Sequence, residues 1–248
     1  MHLIKPNWPA PANVVAYSTT RHGGVSLGPF ASLNLGLHVS DCTEHVLSNR
    51  ALLADGLGLT RQPLWLEQVH SVDIVKYDAS DETADCPPAI ADGSWTDLAE
   101  RPCIVMTADC LPVLLTDYHG SFVAAVHAGW RGLCDGILQR AIQTAPTKPE
   151  RILAWLGPAI GPDAFQVGSE VRDQFTEQDT SFKQAFVADN QGKWLADLYL
   201  LARLILAKQG VEQVFGGEHC TYSESNDFFS YRRDGITGRM ASLIYLTK

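Results

Sequence analysis

Short apolar runs, many of them rich in β-branched residues, recur from end to end of the chain and predict a protein with many strands. The run before His127 is typical, because it consists of Phe, Val, Ala, Ala and Val with no polar residue between them. Such continuous runs favour strands buried on both faces. Runs of this kind predict strands at Val14–Thr19, Leu64–Val69, Ser71–Tyr77, Ile104–Thr107, Val113–Asp117, Phe122–His127, Ile152–Leu156, Val211–Phe215 and Ser242–Leu246.

Helical patterns are fewer than strand patterns. Ser169 is placed to cap one helix, and Gly210 is placed to end another. Strands and helices are interspersed without a strict βαβ rhythm, so we expect an α/β or α+β fold of packed mixed β-sheets with flanking helices, not a TIM barrel or a Rossmann fold. The predicted helices are Thr43–Gly56, Gly132–Thr144, Ser169–Glu177 and Ala196–Gln209.

The domain organisation follows from the absence of any linker, repeat or low-complexity segment in the sequence. A chain of 248 residues is long enough to bury one large core, so we predict a single domain spanning 1–248. The stretch Ala79–Asp92 is rich in Asp, Pro and Ala and predicts a surface loop. No Gly-x-Gly-x-x-Gly or Walker A motif occurs, so no nucleotide cofactor is expected.

Composition and charge exclude two classes of partner. No apolar run approaches the roughly 18 residues that cross a bilayer, and the N-terminus lacks the apolar core of a signal peptide, so we expect no membrane and a cytoplasmic location. The net charge is -9 and no block of Lys and Arg stands out. Binding to nucleic acid requires a basic face, so no nucleic-acid partner is expected.

The cysteines have the scattered distribution of a cytosolic protein. No CxxC pair occurs among Cys42, Cys86, Cys103, Cys110, Cys134 and Cys220. Such cysteines are most often reduced, buried thiols, and this is our interpretation for all of them except Cys110.

Three residues with metal-binding or nucleophilic side chains follow short apolar runs. They are Cys110, His127 and His70, and Pro112 and Gly129 follow the first two. A polar residue at the end of a buried strand, followed by Gly or Pro, usually faces a cleft. One Cys and two His converging on a cleft form either a metal site or a nucleophile–base pair, and the alternative for each alone is an ordinary core or turn residue.

Two further segments suggest binding chemistry. Arg21 stands beside paired glycines, an arrangement that can bind a phosphate-sized anion, and Asn34 lies further along the same region. Arg131 follows Trp130, which offers a flat surface for a planar ligand. The competing interpretation for Arg21 is a glycine-rich turn with a solvated guanidinium.

Several motifs in order resemble one known family. These are TTRHGGVSLGPFASLNLGLHVSD, NR at 49–50, EQVH, TADCLPVLL, HAGWRG, WLGPAIG, CT at 220–221 and FFSYRRDGITGR. Together they resemble the bacterial laccase-domain family, also called polyphenol oxidase, purine nucleoside phosphorylase or peptidoglycan-editing factor. The match extends from about Thr19 to Arg239, and the resemblance implies a YfiH-like fold in one domain.

The resemblance also implies a metal site and a set of activities. The ligands would be His70, Cys110 and His127, holding zinc, with copper as the alternative. The family is associated with phosphorolysis of adenosine, inosine and methylthioadenosine and with deamination of adenosine. Copper-dependent phenol oxidation and editing of peptidoglycan precursors have also been ascribed to it. No HxH pair occurs among the histidines here, so multicopper oxidation fits poorly.

Among the activities that the resemblance implies, we predict that of a metal-dependent purine nucleoside enzyme. Three protein ligands leave a fourth zinc position open, as catalytic zinc sites require. Phosphorolysis also needs an anion pocket, for which Arg21 and Arg131 are the candidates, and Arg21, Asn34 and Arg131 form the predicted substrate-binding set. The alternatives are an amidase or hydrolase acting on a cell-wall precursor, a metal-free thiol hydrolase using Cys110, and a metal-binding regulatory protein. The sequence leaves the oligomeric state open.

Overall fold

The computed structural model describes residues 1–79 and 87–248, in which the strands form four β-sheets. The strands are β1 (Leu3–Ile4), β2 (Val14–Thr19), β3 (Leu66–Glu67), β4 (Ile74–Lys76), β5 (Ala89–Ile90), β6 (Gly93–Thr96), β7 (Cys103–Thr107), β8 (Leu111–Asp117), β9 (Val123–Ala128), β10 (Ile152–Leu156), β11 (Gln166–Val167), β12 (Phe186–Ala188), β13 (Trp194–Ala196), β14 (Gln213–Gly216) and β15 (Met240–Leu246). The α-helices are α1 (Thr43–Leu57), α2 (Trp130–Asp135), α3 (Ile137–Thr144), α4 (Ser169–Gln178), α5 (Leu198–Lys208) and α6 (Tyr231–Asp234).

Two of the sheets form the centre of the molecule. The larger has six strands in the order β14-β10-β8-β9-β6-β4, with β14 parallel to β10 and β4 parallel to β6. The other has four antiparallel strands in the order β1-β2-β15-β7. Two smaller sheets pair β3 with β5 and place β13 between β11 and β12. This arrangement confirms the predicted fold class of mixed sheets with helices.

The chain packs in layers around the two central sheets. One hydrophobic cluster joins their facing sides, and it contains Ala16, Val105, Leu114, Val123, Ala125, Trp155 and Ile244. The opposite face of the six-stranded sheet is covered by α2, α3 and α5 in the largest cluster. The outer face of the four-stranded sheet packs against α1 and against Leu33 and Leu35. Both faces of the central strands are therefore buried, as their continuous apolar sequences predict.

The connection between β7 and β8 carries the chain from one central sheet to the other. It consists of three residues, Ala108, Asp109 and Cys110, between strands that belong to different sheets. Cys110 therefore lies at the junction of the two sheets, beside the end of β9, because Leu111 pairs with Ala128 and Pro112 pairs with His127.

Several predicted elements differ from the structure by one or two residues at their ends, and three differ more clearly. The predicted strands Leu64–Val69 and Ser71–Tyr77 are shorter, at Leu66–Glu67 and Ile74–Lys76. Val69, His70 and Ser71, which lie between them, form no strand, because their backbone N–H groups donate to the carboxylate of Asp92. The predicted helix Gly132–Thr144 begins earlier, at Trp130, and breaks in two at Gly136, where φ is 102°.

Two smaller predictions on local structure and loops need correction. The N-cap of α4 is Gly168, and Ser169 is the first helical residue. The predicted surface loop Ala79–Asp92 lies partly outside the described residues, yet its last residue, Asp92, is fully buried. A carboxylate in a polar, proline-containing stretch looks solvated in sequence, but here it turns inward to satisfy buried donors.

The cysteines also differ in part from the prediction. Cys103 and Cys134 are buried and free, as expected, whereas Cys42 is exposed and Cys220 is partly exposed, and Cys86 lies outside the described residues. Cys42 is exposed because it occupies the N-cap of α1, at the surface. None of the helices in the described part of the chain has the length and apolar character of a membrane-spanning segment.

Truncation of Leu114 tests the packing between the two central sheets. Leu114 is fully buried there, so we expect Leu114→Ala to lower the free energy of unfolding by about 2–5 kcal/mol through lost burial and a residual cavity. The matched control is Leu27→Ala, because Leu27 is 70% exposed and its truncation is expected to change stability by less than about 0.5 kcal/mol. Urea unfolding measures both values, and equal effects would contradict the packing described here.

Candidate active site

His70, Cys110 and His127 come together where the two central sheets meet. One ligand atom from each lies within 4.8 Å of the others, and Cys110 Sγ is 3.9 Å from His70 Nε2. The two imidazole rings are 4.9 Å apart between centroids and meet edge to face, at 74°. The three residues that the sequence singled out thus form one cluster. Among the described residues it is the one group of three or more Cys, His or acidic side chains arranged to hold a metal ion.

His127 is fixed by Asp92. Its side chain is buried within β9, and its Nδ1 lies 2.8 Å from Asp92 Oδ1. Its backbone N–H also donates to the Asp92 carbonyl over 2.7 Å. With Nδ1 occupied, Nε2 is the atom left to bind a ligand, and a carboxylate on the far nitrogen is the usual support of a metal-bound histidine. Burial opposes protonation of His127, but the charges of Cys110 and Asp92 and their hydrogen bonds outweigh it and raise its pKa.

Asp92 also shapes the backbone around His70. Its carboxylate accepts hydrogen bonds from the backbone N–H groups of Val69, His70 and Ser71 over 3.2, 3.0 and 2.6 Å, and from Ser71 Oγ over 3.0 Å. One buried carboxylate therefore holds two of the three cluster residues. Burial raises the pKa of Asp92, yet the hydrogen bonds from His127 and Ser71 lower it overall, so the group is a carboxylate.

Asp109 holds Cys110 in a similar way. Its Oδ1 accepts from Thr221 Oγ1 over 2.6 Å and its Oδ2 accepts from the backbone N–H of Arg232 over 2.7 Å. Its carbonyl accepts from the backbone N–H of Ile160 over 2.9 Å. These bonds tie the turn that presents Cys110 to two separate C-terminal segments.

The backbone is strained on both sides of the cluster. His70 has φ 62° and Asp109 has φ 93°, and both values lie in a region that residues other than glycine seldom occupy. Such conformations cost of order 1–3 kcal/mol each and persist where surrounding contacts enforce them, most often at functional sites. Here the enforcing contacts are those of the two carboxylates.

Gly129 leaves the space that the cluster needs. A Cβ at this position would lie 3.1 Å from Cys110 Sγ and 3.1 Å from His70 Cδ2. The first glycine of the HAGWRG motif therefore allows the N-terminus of α2 to pass close to both side chains. A methyl group here would push them apart.

Cys110 has the electrostatics of a thiolate. Burial opposes its ionisation, but the charge of His127 and hydrogen bonds from His127 and His70 lower its pKa well below the usual range. The buried thiol of Cys103 shows the opposite effect, because burial raises its pKa to about 12. The thiolate is the form that binds metals and acts as a nucleophile.

The cluster fits a tetrahedral metal ion. Zinc bonds of about 2.3 Å to sulfur and about 2.0–2.1 Å to nitrogen place tetrahedral ligands about 3.5 Å apart. The 3.9 Å between Cys110 Sγ and His70 Nε2 is therefore within a small side-chain movement of that geometry. Two imidazoles and a thiolate are ligands that both zinc and copper accept. The candidate ligand atoms are Cys110 Sγ, His70 Nε2 and His127 Nε2.

The other predicted site residues lie in different surroundings. Arg21 donates from Nε and Nη1 to the carbonyls of Ala31 and Ser225 and stacks 4.7 Å from the Phe229 ring centroid. Arg131 is exposed in the first turn of α2, over the Trp130 ring at 4.5 Å.

Asn34 is fully buried in a polar network. Its amide donates to Asp41 Oδ2 over 2.8 Å, and its Oδ1 accepts from the backbone N–H of Arg239 over 2.9 Å. The network continues to Asn49, whose amide donates to the Asn34 carbonyl over 2.8 Å. Asn34 thus has an evident role in packing the loop that precedes α1.

Sequence reasoning missed five residues in or near the cluster. Asp92 is the main one, and the predicted loop around it concealed its role. The others are Asp109, which holds the turn before Cys110, and His38, Arg50 and Arg239. Burial lowers the pKa of His38, and the charges of Arg239, Arg50 and His127 lower it further. Arg50 belongs to the motif NR and Arg239 ends the motif FFSYRRDGITGR, so a signal existed, although no spacing rule places them beside a cysteine.

Comparison with known proteins identifies the family. The chain belongs to the family described as multi-copper polyphenol oxidoreductase laccase, whose model matches residues 15–247. A relative in Escherichia coli strain K12, named purine nucleoside phosphorylase YfiH, is 52% identical over 98% of both chains. A relative in Haemophilus influenzae, named purine nucleoside phosphorylase, is 49% identical over 99% of both chains.

Solved structures confirm the fold. Neisseria meningitidis protein NMB0706 is 49% identical over 100% of both chains, with a TM-score of 0.94. YlmD from Geobacillus stearothermophilus is 36% identical, with a TM-score of 0.86, over 96% of this chain and 93% of that one. A YfiH protein from Bacillus licheniformis has a TM-score of 0.87. The expected YfiH-like fold is therefore confirmed.

Replacement of Asp92 tests the support of the cluster. Asp92→Asn should weaken zinc binding by about 10–100-fold, because it removes the charge that orients His127 and anchors His70. The control is Asp117→Asn, because Asp117 is also buried and accepts backbone N–H bonds from His119 and Ser121, but does not contact the cluster. Titration against a zinc-binding dye measures both variants. The account fails if Asp92→Asn binds zinc as tightly as Asp117→Asn does.

Proposed function

We propose that this protein is a metal-dependent purine nucleoside phosphorylase that cleaves adenosine, inosine and methylthioadenosine and also deaminates adenosine. The observation that carries the proposal is the assembled His–Cys–His cluster, braced by Asp92 and Asp109, in a chain 52% identical to a protein named purine nucleoside phosphorylase. The three-ligand cluster supports an enzyme over a metal-binding regulatory protein, because it leaves a coordination position open, as catalytic zinc sites do.

The metal of the proposal is zinc, with copper as the alternative. His70, Cys110 and His127 would hold it and leave a coordination position open, as in catalytic zinc sites. When bound, the metal would supply Lewis-acid polarisation of a substrate or water oxygen. The described residues contain one three-ligand group. This supports the binding of a single metal ion over the several copper ions that the family's description names.

The residues themselves supply orientation and access. Asp92 keeps a proton on His127 Nδ1 and so directs Nε2 toward the ligand position. Exposure rises from buried His127 through partly exposed Cys110 to exposed His70. Substrate would therefore approach from the side of His70, while the buried side excludes water and strengthens the electrostatic contacts there.

Substrate contacts remain as the sequence predicted them, with Arg21, Asn34 and Arg131 as candidates. Arg131 is exposed four residues after His127, beside Trp130, where a planar base would find a stacking surface. The structural bonds of Arg21 and Asn34 are compatible with an indirect contribution, in which each holds a loop near the substrate.

Loss of the Cys110 thiolate tests the proposed function. Cys110→Ala should lose bound metal and lower phosphate-dependent cleavage of inosine by at least about 100-fold, because removing a ligand costs more than removing its support. The control is Cys134→Ala, since Cys134 is buried beside Gln178 and makes no contact with the cluster. The measurements are metal content and release of free base at saturating phosphate.

The outcomes separate the proposal from its rivals. Retained phosphorolysis in metal-free Cys110→Ala protein would reject the metal mechanism. Loss of activity with metal retained would instead favour a thiol mechanism at Cys110. Absence of inosine cleavage by fully metallated wild-type protein would reject the nucleoside assignment and favour a cell-wall precursor or a phenol as substrate.

A further inference from the structure

Two arginines, Arg50 and Arg239, lie beside the segments that carry the cluster, on the side of the four-stranded sheet. Arg50 projects from α1, donates from Nε to the Leu35 carbonyl over 3.0 Å, and stacks 3.8 Å from the Trp65 ring centroid. Its Nη2 lies 3.9 Å from Met106 Sδ. Stacking and one backbone bond fix the guanidinium plane, so the remaining N–H groups have a set direction.

Arg239 approaches the same place from the loop before β15. Its Nη1 donates to the carbonyls of Thr237 and Gly238 over 3.1 and 3.0 Å. Its backbone carbonyl accepts from the N–H of Leu35 over 3.1 Å. Leu35 therefore joins the two arginines, because its carbonyl binds Arg50 and its N–H binds Arg239.

Gly36 and His38 lie beside Arg239, and we call the group of Arg50, Arg239, Gly36 and His38 the arginine corner. A Cβ at Gly36 would lie 2.8 Å from Arg239 Cγ and 3.2 Å from His38 Cε1, so both side chains pack against a position where only glycine fits. His38 is exposed at the outer edge of the arginine corner. Gly36 thus allows the side chains of Arg239 and His38 to lie close to each other.

The arginine corner adjoins the segments that carry the cluster. Gln68 forms a pair of 2.8 Å hydrogen bonds with the backbone of Met106, the residue that contacts Arg50. Gln68 precedes His70 by two residues, and Met106 leads through Ala108 and Asp109 to Cys110. Consistently, burial lowers the pKa of Arg239 while the negative charges of Cys110 and Asp109 act to raise it.

In the described part of the chain, neither guanidinium is paired with a carboxylate in a salt bridge. Among residues 1–79 and 87–248, no carboxylate forms a salt bridge with Arg50 or Arg239, whereas Arg233 and Arg172 pair with Asp234 and Asp173. Burial alone lowers the pKa of Arg50 to about 10, which shows how far its charge is withdrawn from water. A half-buried cation without a counter-ion is costly, and an anionic ligand removes that cost.

We propose that Arg50 and Arg239, with His38 at the entrance, form the subsite that binds inorganic phosphate beside the His70–Cys110–His127 cluster. The inference rests on the proposed function for the identity of the anion.

In the reaction, an oxygen of hydrogen phosphate bonds to ribose C1′ as the bond from C1′ to the purine nitrogen breaks. The bonding electron pair stays on the purine, which takes up the phosphate proton and leaves as free base, with ribose 1-phosphate as the other product. Two guanidinium groups would fix the phosphate for this attack.

This subsite differs from the pocket that the sequence suggested. Arg21 uses Nε and Nη1 to bind the carbonyls of Ala31 and Ser225, and Arg131 is exposed. The two sets of arginines can be compared directly in one experiment.

Isothermal titration of inorganic phosphate into the metal-loaded protein tests the subsite. We expect Arg239→Gln and Arg50→Gln each to raise the phosphate Kd and the phosphate KM by about tenfold or more, through loss of charge-assisted hydrogen bonds. The KM for inosine and the metal content should stay within about twofold of wild type. The matched control is Arg140→Gln, because Arg140 is exposed on α3, away from the arginine corner, and should change none of these values.

Two charge-conserving variants show whether an effect of the Gln variants comes from misfolding. Arg239→Lys and Arg50→Lys keep the charge and most of the side-chain volume, so they should fold and show a smaller rise in phosphate Kd. An unchanged phosphate Kd in all four folded variants, or a rise confined to Arg21→Ala or Arg131→Ala, would overturn the subsite. Equal changes in the KM of phosphate and of inosine would also overturn it, because they indicate a structural role.

The same data distinguish this inference from the proposed function. Phosphate binding that weakens in the variants, in a protein that does not cleave inosine, would support the anion subsite and reject phosphorolysis. Inosine phosphorolysis with an unchanged phosphate KM in the variants would reject the subsite and leave the proposed function standing.

Discussion

The buried carboxylate of Asp92 is the group on which the geometry of the site depends. It accepts from His127 Nδ1 on one side and from three consecutive backbone N–H groups and Ser71 Oγ on the other. A buried carboxylate without partners costs several kcal/mol, so these donors are required for Asp92 to be ionised at all. The same bonds direct Nε2 of His127 toward the cluster and hold His70 at a positive φ. One set of hydrogen bonds thus both compensates for burying the charge of Asp92 and fixes the positions of His127 and His70.

The position of Cys110 follows from the way two sheets are joined. A connection of three residues links β7 in one central sheet to β8 in the other, and it can turn this sharply because Asp109 adopts φ 93°. Thr221 and the backbone of Arg232 hold that turn from the C-terminal part of the chain. The last strands and loops must therefore be in place before the cluster is complete, so folding of the whole chain and assembly of the site are coupled.

The sequence predicted the three cluster residues and most central strands, but not what supports them. Continuous apolar runs indicate buried strands, and a Cys or His at the end of such a run is a strong local signal, as at Cys110 and His127. Asp92 gave no such signal, because local composition around it is that of a loop and its partners come from two other segments. Arg50 gave only the signal of its short NR motif, since tertiary packing on Trp65 is what fixes its guanidinium. Residues whose role depends on long-range contacts are the ones that sequence patterns leave out.

The central claim is that these elements form one metal site, and anomalous X-ray diffraction from zinc-grown crystals measures this directly. The account predicts a single strong zinc peak at the cluster, bonded to Cys110 Sγ at about 2.3 Å and to Nε2 of His70 and His127 at about 2.0–2.1 Å. Asp92 should remain hydrogen-bonded to His127 Nδ1 in that structure. A zinc peak elsewhere with none at the cluster, or a zinc ion bound through His127 Nδ1 with Asp92 displaced, would contradict the account.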